Sequence, residues 1–407
     1  MTAGELPGPL PGKVDALFPG ALRERLTALR RELHANPELS NEEHETAQRL
    51  TAALIACGVD DVHPVGATGV LARVPGRNRA APAVAIRGDI DALPIHEATG
   101  LPFASRQPGI MHACGHDVHA TWAVGAAALL ARQPADGDVV ILLQPAEEVG
   151  DGALQMIRGG ALDGVAAIFG GHVDRRFALG QVVAEAGPLA ASADTFEIEL
   201  VGRGAHAARP HEGADPVVGA GALVLALQTI VSRRIDPATA AVVTIGTLHA
   251  GVAPNVIPDT AKMSGTIRAV DAATRALAIA EVKRIAGSTA TAYALEALVT
   301  VTEGTPPVVN PARPVSWARA AAASLLGDDA LVPLGITNMA AEDFAHYLEK
   351  IPGCFLRIGA REGGGPVIPA HSPRFYAAEE SIFIGAAVLA ESARVASRAL
   401  GSAPPAA

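Results

Sequence analysis

The densest group of reactive side chains in the sequence lies at residues 111–119, MHACGHDVH, where one thiol, three imidazoles and one carboxylate occur within nine residues. Cys114 and His116 are separated by one residue, and a helix-like run follows at 120–131. Thiolates and imidazoles are ligands that zinc prefers, so the stretch predicts a metal site in a loop just before a helix. An alternative keeps Cys114 as a nucleophile with a histidine as its base.

Two adjacent carboxylates, Glu147 and Glu148, follow the apolar run 139–143. Neighbouring carboxylates repel each other unless cations or protons compensate, and such a pair is otherwise typical of a solvated loop. In a metallohydrolase, one carboxylate can bind a metal while its neighbour takes a proton from the attacking water. Together with Cys114 and His116, the pair favours this division of labour over a nucleophilic cysteine, which has no need of the carboxylates.

Asp89 and Asp91 follow a second apolar run, 83–86. Because alternate residues of an extended chain face the same way, both carboxylates are expected to point into one site, although a surface turn is the alternative. One of them could orient a ligating imidazole through its other ring nitrogen. His172 and His371 are isolated histidines that carry no weight by themselves.

The elements that must position these residues can also be read from the sequence. Leucines spaced from Leu22 to Leu33 predict a helix that stops at 36–37, and Ser40 with Glu43 forms a capping box that predicts the start of a second helix. Short apolar runs alternate with helical stretches farther along, which is typical of a mainly parallel sheet covered by helices. These runs are 69–74, 83–86, 139–143 and 165–169.

From about residue 187 the pattern changes. Apolar and polar residues alternate at 195–201, as in a half-exposed antiparallel strand. The helices and strands that follow predict a small inserted α+β unit. We therefore predict an α/β fold whose parts are a first catalytic part at 20–187, an inserted domain at 188–303, a second catalytic part at 304–400 and a disordered tail at 401–407.

Composition excludes several classes of function. The chain has 407 residues, which favours two or three domains, and its 32 basic and 42 acidic residues give a net charge of −10 without long runs of one sign. Nucleic acid and anionic membranes are therefore not expected partners. Three distant cysteines form no disulfide framework, and the first 20 residues do not resemble a signal peptide. We expect a cytoplasmic protein.

Five motifs, in order, resemble those of one metal-dependent amidohydrolase family, which includes bacterial aminoacylases, hippurate hydrolases and plant auxin-conjugate hydrolases. The similarity runs from about Leu22 to Ala399. It implies a zinc-peptidase-like α/β catalytic domain with an inserted ferredoxin-like lid and dimerisation domain. The motifs are DIDALP at 89–94, MHACGHD at 111–117, QPAEE at 144–148, GRGAHA at 202–207 and AHSP at 370–373.

Carried over residue by residue, the resemblance implies a centre of two divalent metal ions. Glu147 would be the general base, and Asp91 would orient a ligand. Zn²⁺, Mn²⁺ and Co²⁺ all suit thiolate, imidazole and carboxylate ligands. The metal ligands would be Cys114, His116, Glu148, His172 and His371.

The resemblance also assigns roles to the inserted domain. His206 would complete the site of the partner subunit and donate to the oxyanion, in a homodimer or tetramer formed through the lid. Asn255 and Arg268 would hold the carboxylate of the substrate, since an arginine fork suits a carboxylate. The stretch 173–177, VDRRF, is more charged than the family pattern, and could lie near the acyl pocket.

The predicted reaction is hydrolysis of the amide bond of an N-acyl amino acid to a carboxylate and a free amino acid. A metallo-dipeptidase or carboxypeptidase with the same ligands is one alternative, and it would accept substrates with a free α-amino group. A non-catalytic binding protein on the same fold is the other, and it would be expected to lack the base or a ligand.

Overall fold

The structure is a computed structural model, and it describes residues 10–402. Gly401 is the last residue of the C-terminal helix and Ser402 caps that helix. The rest of the predicted tail, 403–407, lies outside the described residues.

The β-strands alternate with helices over most of the chain. They are β1 (Val62–Val65), β2 (Gly69–Val74), β3 (Ala83–Asp89), β4 (Val139–Gln144), β5 (Val165–Ala178), β6 (Val182–Val183), β7 (Gly187–Ala190), β8 (Asp194–Val201), β9 (Ala205–His206), β10 (Ala241–Ala250), β11 (Val256–Ile257), β12 (Thr260–Ala269), β13 (Glu296–Thr302), β14 (Val308–Asn310) and β15 (Gly353–Arg361).

The α-helices include the predicted N-terminal and C-terminal ones. They are α1 (Gly20–Ala35), α2 (His44–Ala56), α3 (His116–Arg132), α4 (Gly152–Arg158), α5 (Pro216–Leu227), α6 (Ala272–Ala292), α7 (Ala312–Leu326), α8 (Ala345–Leu348) and α9 (Glu380–Gly401). None of the helices between residues 10 and 402 combines the length and the apolar character needed to span a bilayer.

The chain divides into two compact units. The first contains the described residues up to Gly187, together with Asn310–Gly335 and the residues from His346 onward. The second contains Pro188–Val309 and Ile336–Ala345. The segment 336–345 belongs to the second unit, where Asn338 forms a β-bridge with Ala190.

The first unit is built on a seven-stranded sheet in the order β1-β2-β4-β3-β5-β15-β6. The four central strands are parallel, whereas β1, β2 and β6 pair antiparallel at the two edges. All residues of β3 and β4 are buried, as expected for central parallel strands. The predicted α/β class is therefore confirmed, and the parallel part is the part that carries the site.

Helices α3 and α9 form the centre of the packing beside this sheet. Trp122 of α3 is fully buried, and Gly385 of α9 faces it so closely that a Cβ there would lie 2.2 Å from the indole Cε3. Because a methyl group does not fit in that space, the glycine allows the two helices to approach.

The second unit contains a four-stranded antiparallel sheet in the order β10-β12-β8-β13. Its elements follow one another as β8, α5, β10, β12, α6 and β13, which is the ferredoxin-like β-α-β-β-α-β arrangement. Phe196, Ile198 and Leu200 of β8 are buried and alternate with more exposed residues, as the sequence pattern predicts.

Candidate metal centre

The chemistry-bearing residues of the first unit come from the carboxyl ends of adjacent parallel strands. Asp89 ends β3, with Asp91 two residues beyond it, and Glu147 and Glu148 follow β4. His172 lies within β5, which continues past the apolar run that suggests its end. Ligands in open α/β sheets bind at this edge of the sheet, so the topology brings these side chains to one place.

Cys114 and His116, the two predicted ligands in the 111–119 stretch, lie on either side of a glycine in a left-handed conformation. Gly115, the N-cap of α3, has φ +93°, and a Cβ at this position would lie 2.4 Å from Cγ2 of Val173. A side chain would therefore be excluded by both backbone strain and contact with β5. The glycine brings Cys114 and His116 against the strand that carries His172.

The structure brings all five predicted ligands into two overlapping groups. The ligating atoms of Cys114, His116 and His172 lie within 4.8 Å of one another, and those of Cys114, Glu148 and His371 do so as well. Cys114 Sγ is 3.2 Å from His172 Nε2, and His371 Nε2 is 3.3 Å from Glu148 Oε2. Cys114 belongs to both groups.

The general base predicted from the sequence lies beside these groups. The carboxylate of Glu147 is 11% exposed, and its Oε2 is 3.9 Å from His116 Nε2. His116 Nε2 is also 3.8 Å from Glu148 Oε1. One imidazole nitrogen thus faces both the predicted ligand carboxylate and the predicted base.

Two buried atoms indicate that this set of side chains fits divalent cations. Within residues 10–402, His116 Nε2 and Glu148 Oε1 are both buried and make no hydrogen bond. Buried polar atoms in proteins are nearly always paired, and a cation would satisfy both atoms at once. The thiol, imidazoles and carboxylate that surround them are the donor set of Zn²⁺, Mn²⁺ or Co²⁺.

The pKa values of the site residues follow from burial and from the carboxylates around them. Burial raises the pKa of the Cys114 thiol well above its usual value, and the negative charge of Glu148 adds to this effect. Burial opposes a charge on His116, but Asp89 and Asp91 outweigh it and raise the pKa of that imidazole. A bound cation would reverse this balance, since it favours the thiolate and the neutral imidazole.

Asp91 is placed to orient His116. Its Oδ1 lies 3.0 Å from His116 Nδ1, and its backbone oxygen lies 2.9 Å from the same nitrogen. Its Oδ2 accepts hydrogen bonds from the Ser40 hydroxyl at 2.7 Å and from the backbone N–H of Glu148 at 3.0 Å. A proton held on Nδ1 leaves Nε2 of His116 free to bind a metal.

The capping-box prediction for Ser40 and Glu43 is wrong. Helix α2 begins at His44, and Glu43, its N-cap, makes no capping hydrogen bond through its side chain. Glu43 is instead buried, and accepts hydrogen bonds from Thr68 Oγ1 at 2.7 Å and from the backbone N–H of Ala146 at 2.9 Å. The two residues support the site through these long-range partners instead of capping the helix.

His119 is a supporting residue that the sequence pattern leaves unassigned. Its Nδ1 lies 2.6 Å from Asp89 Oδ1, and its Nε2 accepts the backbone N–H of Val173 at 2.9 Å. Asp89 also accepts a hydrogen bond from Arg87 at 2.5 Å. Both ring nitrogens of His119 therefore have protein partners, and Nε2 holds the backbone next to His172, which explains the third imidazole of the stretch without a metal bond.

The remaining charged residue of the stretch, Asp117, joins helices. Its Oδ2 is 2.8 Å from both Arg30 Nε and His34 Nδ1, and all three side chains are buried. The adjacent cations keep the pKa of Asp117 well below its usual range despite burial. His112 is buried, and burial lowers its pKa to about 4, so it is neutral at physiological pH.

The predicted substrate residues belong to the second unit. His206 in β9 pairs with Val256 in β11, and it lines an open groove together with Asn255. Arg268 lies on β12 opposite Val242 and does not line that groove. The structure therefore brings two of the three residues together within this unit.

Known proteins resemble this chain over most of its length. The model of a family described as Peptidase family M20/M25/M40 matches residues 85–394. N-acetyl-L-cysteine deacetylase of Bacillus subtilis is 42% identical over 92% of this chain and 88% of its own length. IAA-amino acid hydrolase ILR1-like 2 of Arabidopsis thaliana is 38% identical over 90% of this chain and 84% of its own length.

A solved structure resembles the fold as well. The crystal structure of the Bacillus subtilis YXEP protein, described as a dinuclear metal binding peptidase from the M20 family, superposes with a TM-score of 0.81. Its sequence is 36% identical to this chain, and the match covers 92% of this chain and 98% of that one.

Proposed function

The chain belongs to peptidase family M20/M25/M40, and from this premise we propose that it is a metal-dependent hydrolase of the amide bond in N-acyl amino acids. The observation that carries the proposal is the position of His116 Nε2, which lies 3.8 Å from Glu148 Oε1 and 3.9 Å from Glu147 Oε2. A predicted ligand carboxylate and a predicted base thus flank one predicted metal ligand, as hydrolysis by an activated water requires.

The names of the relatives support the substrate class. One is a deacetylase of N-acetylcysteine and another is a hydrolase of IAA-amino acids, and both match about nine-tenths of this chain. The bond that these two names share joins an acyl group to the nitrogen of an amino acid. We infer the same bond for this enzyme, with the acyl group and the amino acid left to experiment.

Two divalent ions would occupy the site. When bound, they would polarise the substrate carbonyl and favour deprotonation of water near neutral pH. The similarity to the YXEP protein, a dinuclear metal binding peptidase, supports the number of ions. The residues that would hold them are Cys114, His116, Glu148, His172 and His371.

Residues of the chain would carry out proton transfer, orientation of a metal ligand and substrate binding. Glu147 takes the proton of the attacking water and then passes it to the leaving amine. Asp91 keeps the proton of His116 on Nδ1 and thereby fixes the direction of Nε2. In the second unit, Asn255 and Arg268 are proposed to bind the carboxylate of the substrate, and His206 to donate to the oxyanion of the partner subunit's site.

We propose a homodimer or tetramer that assembles through the second unit. Strand β10 is at one edge of its sheet, where Leu248 is 44% exposed, and α5 exposes Leu225 at 73%. An open strand edge and exposed leucines are what a second copy of the chain would cover.

We also propose a cytoplasmic location, because the three cysteines, Cys57, Cys114 and Cys354, are free thiols.

A substrate panel tests this function. Metal-stripped protein would be supplied with Zn²⁺, Mn²⁺ or Co²⁺ and assayed on N-acetyl, N-benzoyl, long-chain acyl and indole-acetyl amino acids, with dipeptides as the comparison. We expect metal-dependent release of free amino acid from at least one N-acyl substrate. Faster cleavage of dipeptides with a free α-amino group would favour a peptidase, and no cleavage of any substrate would favour a binding protein.

Metal should protect Cys114 from alkylation. The thiol lies in both ligand groups, so occupancy by metal would block its reaction with iodoacetamide. Mass spectrometry of the modified peptides would give the rate for each cysteine, with half-buried Cys57 as the internal control. Protection of Cys114 with unchanged labelling of Cys57 is expected, whereas equal labelling of Cys114 with and without metal would contradict its role as a ligand.

A further inference from the structure

Strand β5 carries a buried arginine three residues beyond His172. The side chain of Arg175 is 0% exposed, whereas that of its neighbour Arg176 is 40% exposed and pairs with Asp174 at 2.7 Å. The charged stretch 173–177 therefore contains two arginines in opposite environments. The buried one needs an explanation, because a guanidinium is costly to remove from water unless its donors are paired.

The partners of Arg175 lie in the C-terminal part of the first unit. Its Nη1 donates to the backbone oxygens of Ala360 and Tyr376, both at 3.2 Å, and to Glu362 Oε2 at 2.8 Å. Its Nη2 donates to the backbone oxygen of Pro366 at 2.8 Å and to Glu362 Oε1 at 3.2 Å. The guanidinium carbon is 4.2 Å from the centre of the Tyr376 ring, and the Tyr376 hydroxyl also bonds to Glu362.

Two of these partners, Pro366 and Tyr376, lie on either side of His371 within the stretch 362–379 that connects β15 to α9. Residues 366–376 contain no helix or strand, and His371 is their midpoint. The guanidinium of Arg175 thus links the two ends of segment 366–376, because it donates hydrogen bonds to the backbone oxygens of both Pro366 and Tyr376. At the tip, the backbone N–H of His371 donates to the oxygen of Ala113 at 2.8 Å, next to Cys114.

The side chain of His371 contacts Glu148, whose Oε2 lies 3.3 Å from its Nε2. It is 54% exposed, and its backbone has φ +65°, a left-handed conformation that non-glycine residues rarely adopt. Such a conformation persists only when the surrounding structure imposes it. The link between the two ends of segment 366–376 is the part of that structure that reaches back to β5, the strand of His172.

We propose that Arg175 is a positioning residue that places His371 for metal binding by fixing both ends of loop 366–376 to β5. This inference rests on the proposed role of His371 as a ligand. The planar fork of arginine suits the task because its two terminal nitrogens can reach separate carbonyls and one carboxylate together. A lysine carries all of its donors on one nitrogen and would not replace this fork.

The test compares Arg175→Met with Arg176→Met, the exposed neighbour. Mn²⁺ binding to each metal-stripped protein would be measured by calorimetry, and hydrogen exchange of residues 366–376 by mass spectrometry. For Arg175→Met we expect Mn²⁺ affinity to fall about 10- to 100-fold, the range found when supporting contacts of metal ligands are removed, together with faster exchange in the loop. Arg176→Met should match the wild type in both measurements.

Double variants separate positioning from general damage. If Arg175 acts through His371, then Arg175→Met should cause no further loss of Mn²⁺ affinity in a His371→Ala background, but should retain its effect beside His172→Ala. Wild-type Mn²⁺ binding by Arg175→Met, or an undiminished further loss in the His371→Ala background, would overturn the inference. Absence of Mn²⁺ binding by the wild type would instead overturn the proposed function, and the inference with it.

A milder variant, Glu362→Gln, tests the proposal if Arg175→Met does not fold. Glu362→Gln keeps the guanidinium and its carbonyl bonds but removes the charge of a partner that is 34% exposed. We expect it to weaken Mn²⁺ binding and to speed exchange of the loop to a smaller extent. Unchanged binding and exchange in this variant would overturn the proposal.

Discussion

Replacing Glu147 with Gln is expected to lower kcat by roughly two to four orders of magnitude, the usual contribution of a general base. The amide of glutamine has the same shape but cannot accept the proton of the attacking water. Because Glu147 is not a proposed ligand, the variant should still bind two metal ions per chain. The measurement is a steady-state assay on an N-acyl amino acid, combined with metal analysis of the same sample.

A matched control uses an exposed glutamate outside the proposed site. Glu45 on α2 is 67% exposed and pairs only with neighbouring Arg49 in the described part of the chain, so Glu45→Gln should leave kcat unchanged. Near-normal turnover of Glu147→Gln would remove this residue from the reaction. A loss of metal together with activity would make Glu147 a ligand instead of the base.

Replacing His206 with Ala is expected to lower kcat by roughly two to three orders of magnitude, the effect of removing one donor to an oxyanion. The side chain is exposed and lies beside Asn255 in an open groove of the second unit, where a ligand or another subunit can reach it. Its neighbour in space, Val256, is also exposed and provides a control, since Val256→Ala removes no donor.

Mixing two inactive variants tests whether His206 serves the partner subunit. In a mixed dimer of His206→Ala and Glu147→Gln chains, one site would combine an intact Glu147 with an intact His206 from the other chain. Activity should therefore return when the two proteins exchange subunits. The recovered activity should be proportional to the fraction of sites that contain both intact residues. If His206 acted within its own chain, both sites of the mixed dimer would lack one group, and activity would stay low.

The parts of this fold that depend on local patterns can be predicted from the sequence. The buried apolar runs of β3 and β4 are continuous, and the alternation in β8 has a period of two, so each pattern has one simple structural solution. The antiparallel edges of the large sheet are not predictable in the same way. The strands β1 and β2 form a local hairpin, but the pairing of β2 with β4 and of β6 with β15 joins strands that are distant in the sequence.

In the candidate site, too, the residues that are close in the sequence can be predicted, whereas contacts between distant residues cannot. Cys114 and His116 are recognisable because they are close in the sequence, and the family resemblance implies His172 and His371. The contacts that support them join residues far apart, such as Ser40 with Asp91, and Arg175 with Tyr376. The sequence wrongly predicts a helix cap at Ser40 because its local neighbours permit that role, and only the folded chain supplies the partner that it binds.

The most direct test of the metal-dependent hydrolase is reconstitution of metal-stripped protein with increasing Mn²⁺ while release of amino acid from an N-acyl substrate is followed. The two groups of ligands that share Cys114 lead us to expect no hydrolysis without metal and a rate that reaches its plateau at two ions per chain. Full activity of the stripped protein, or metal binding that never restores hydrolysis, would contradict this function.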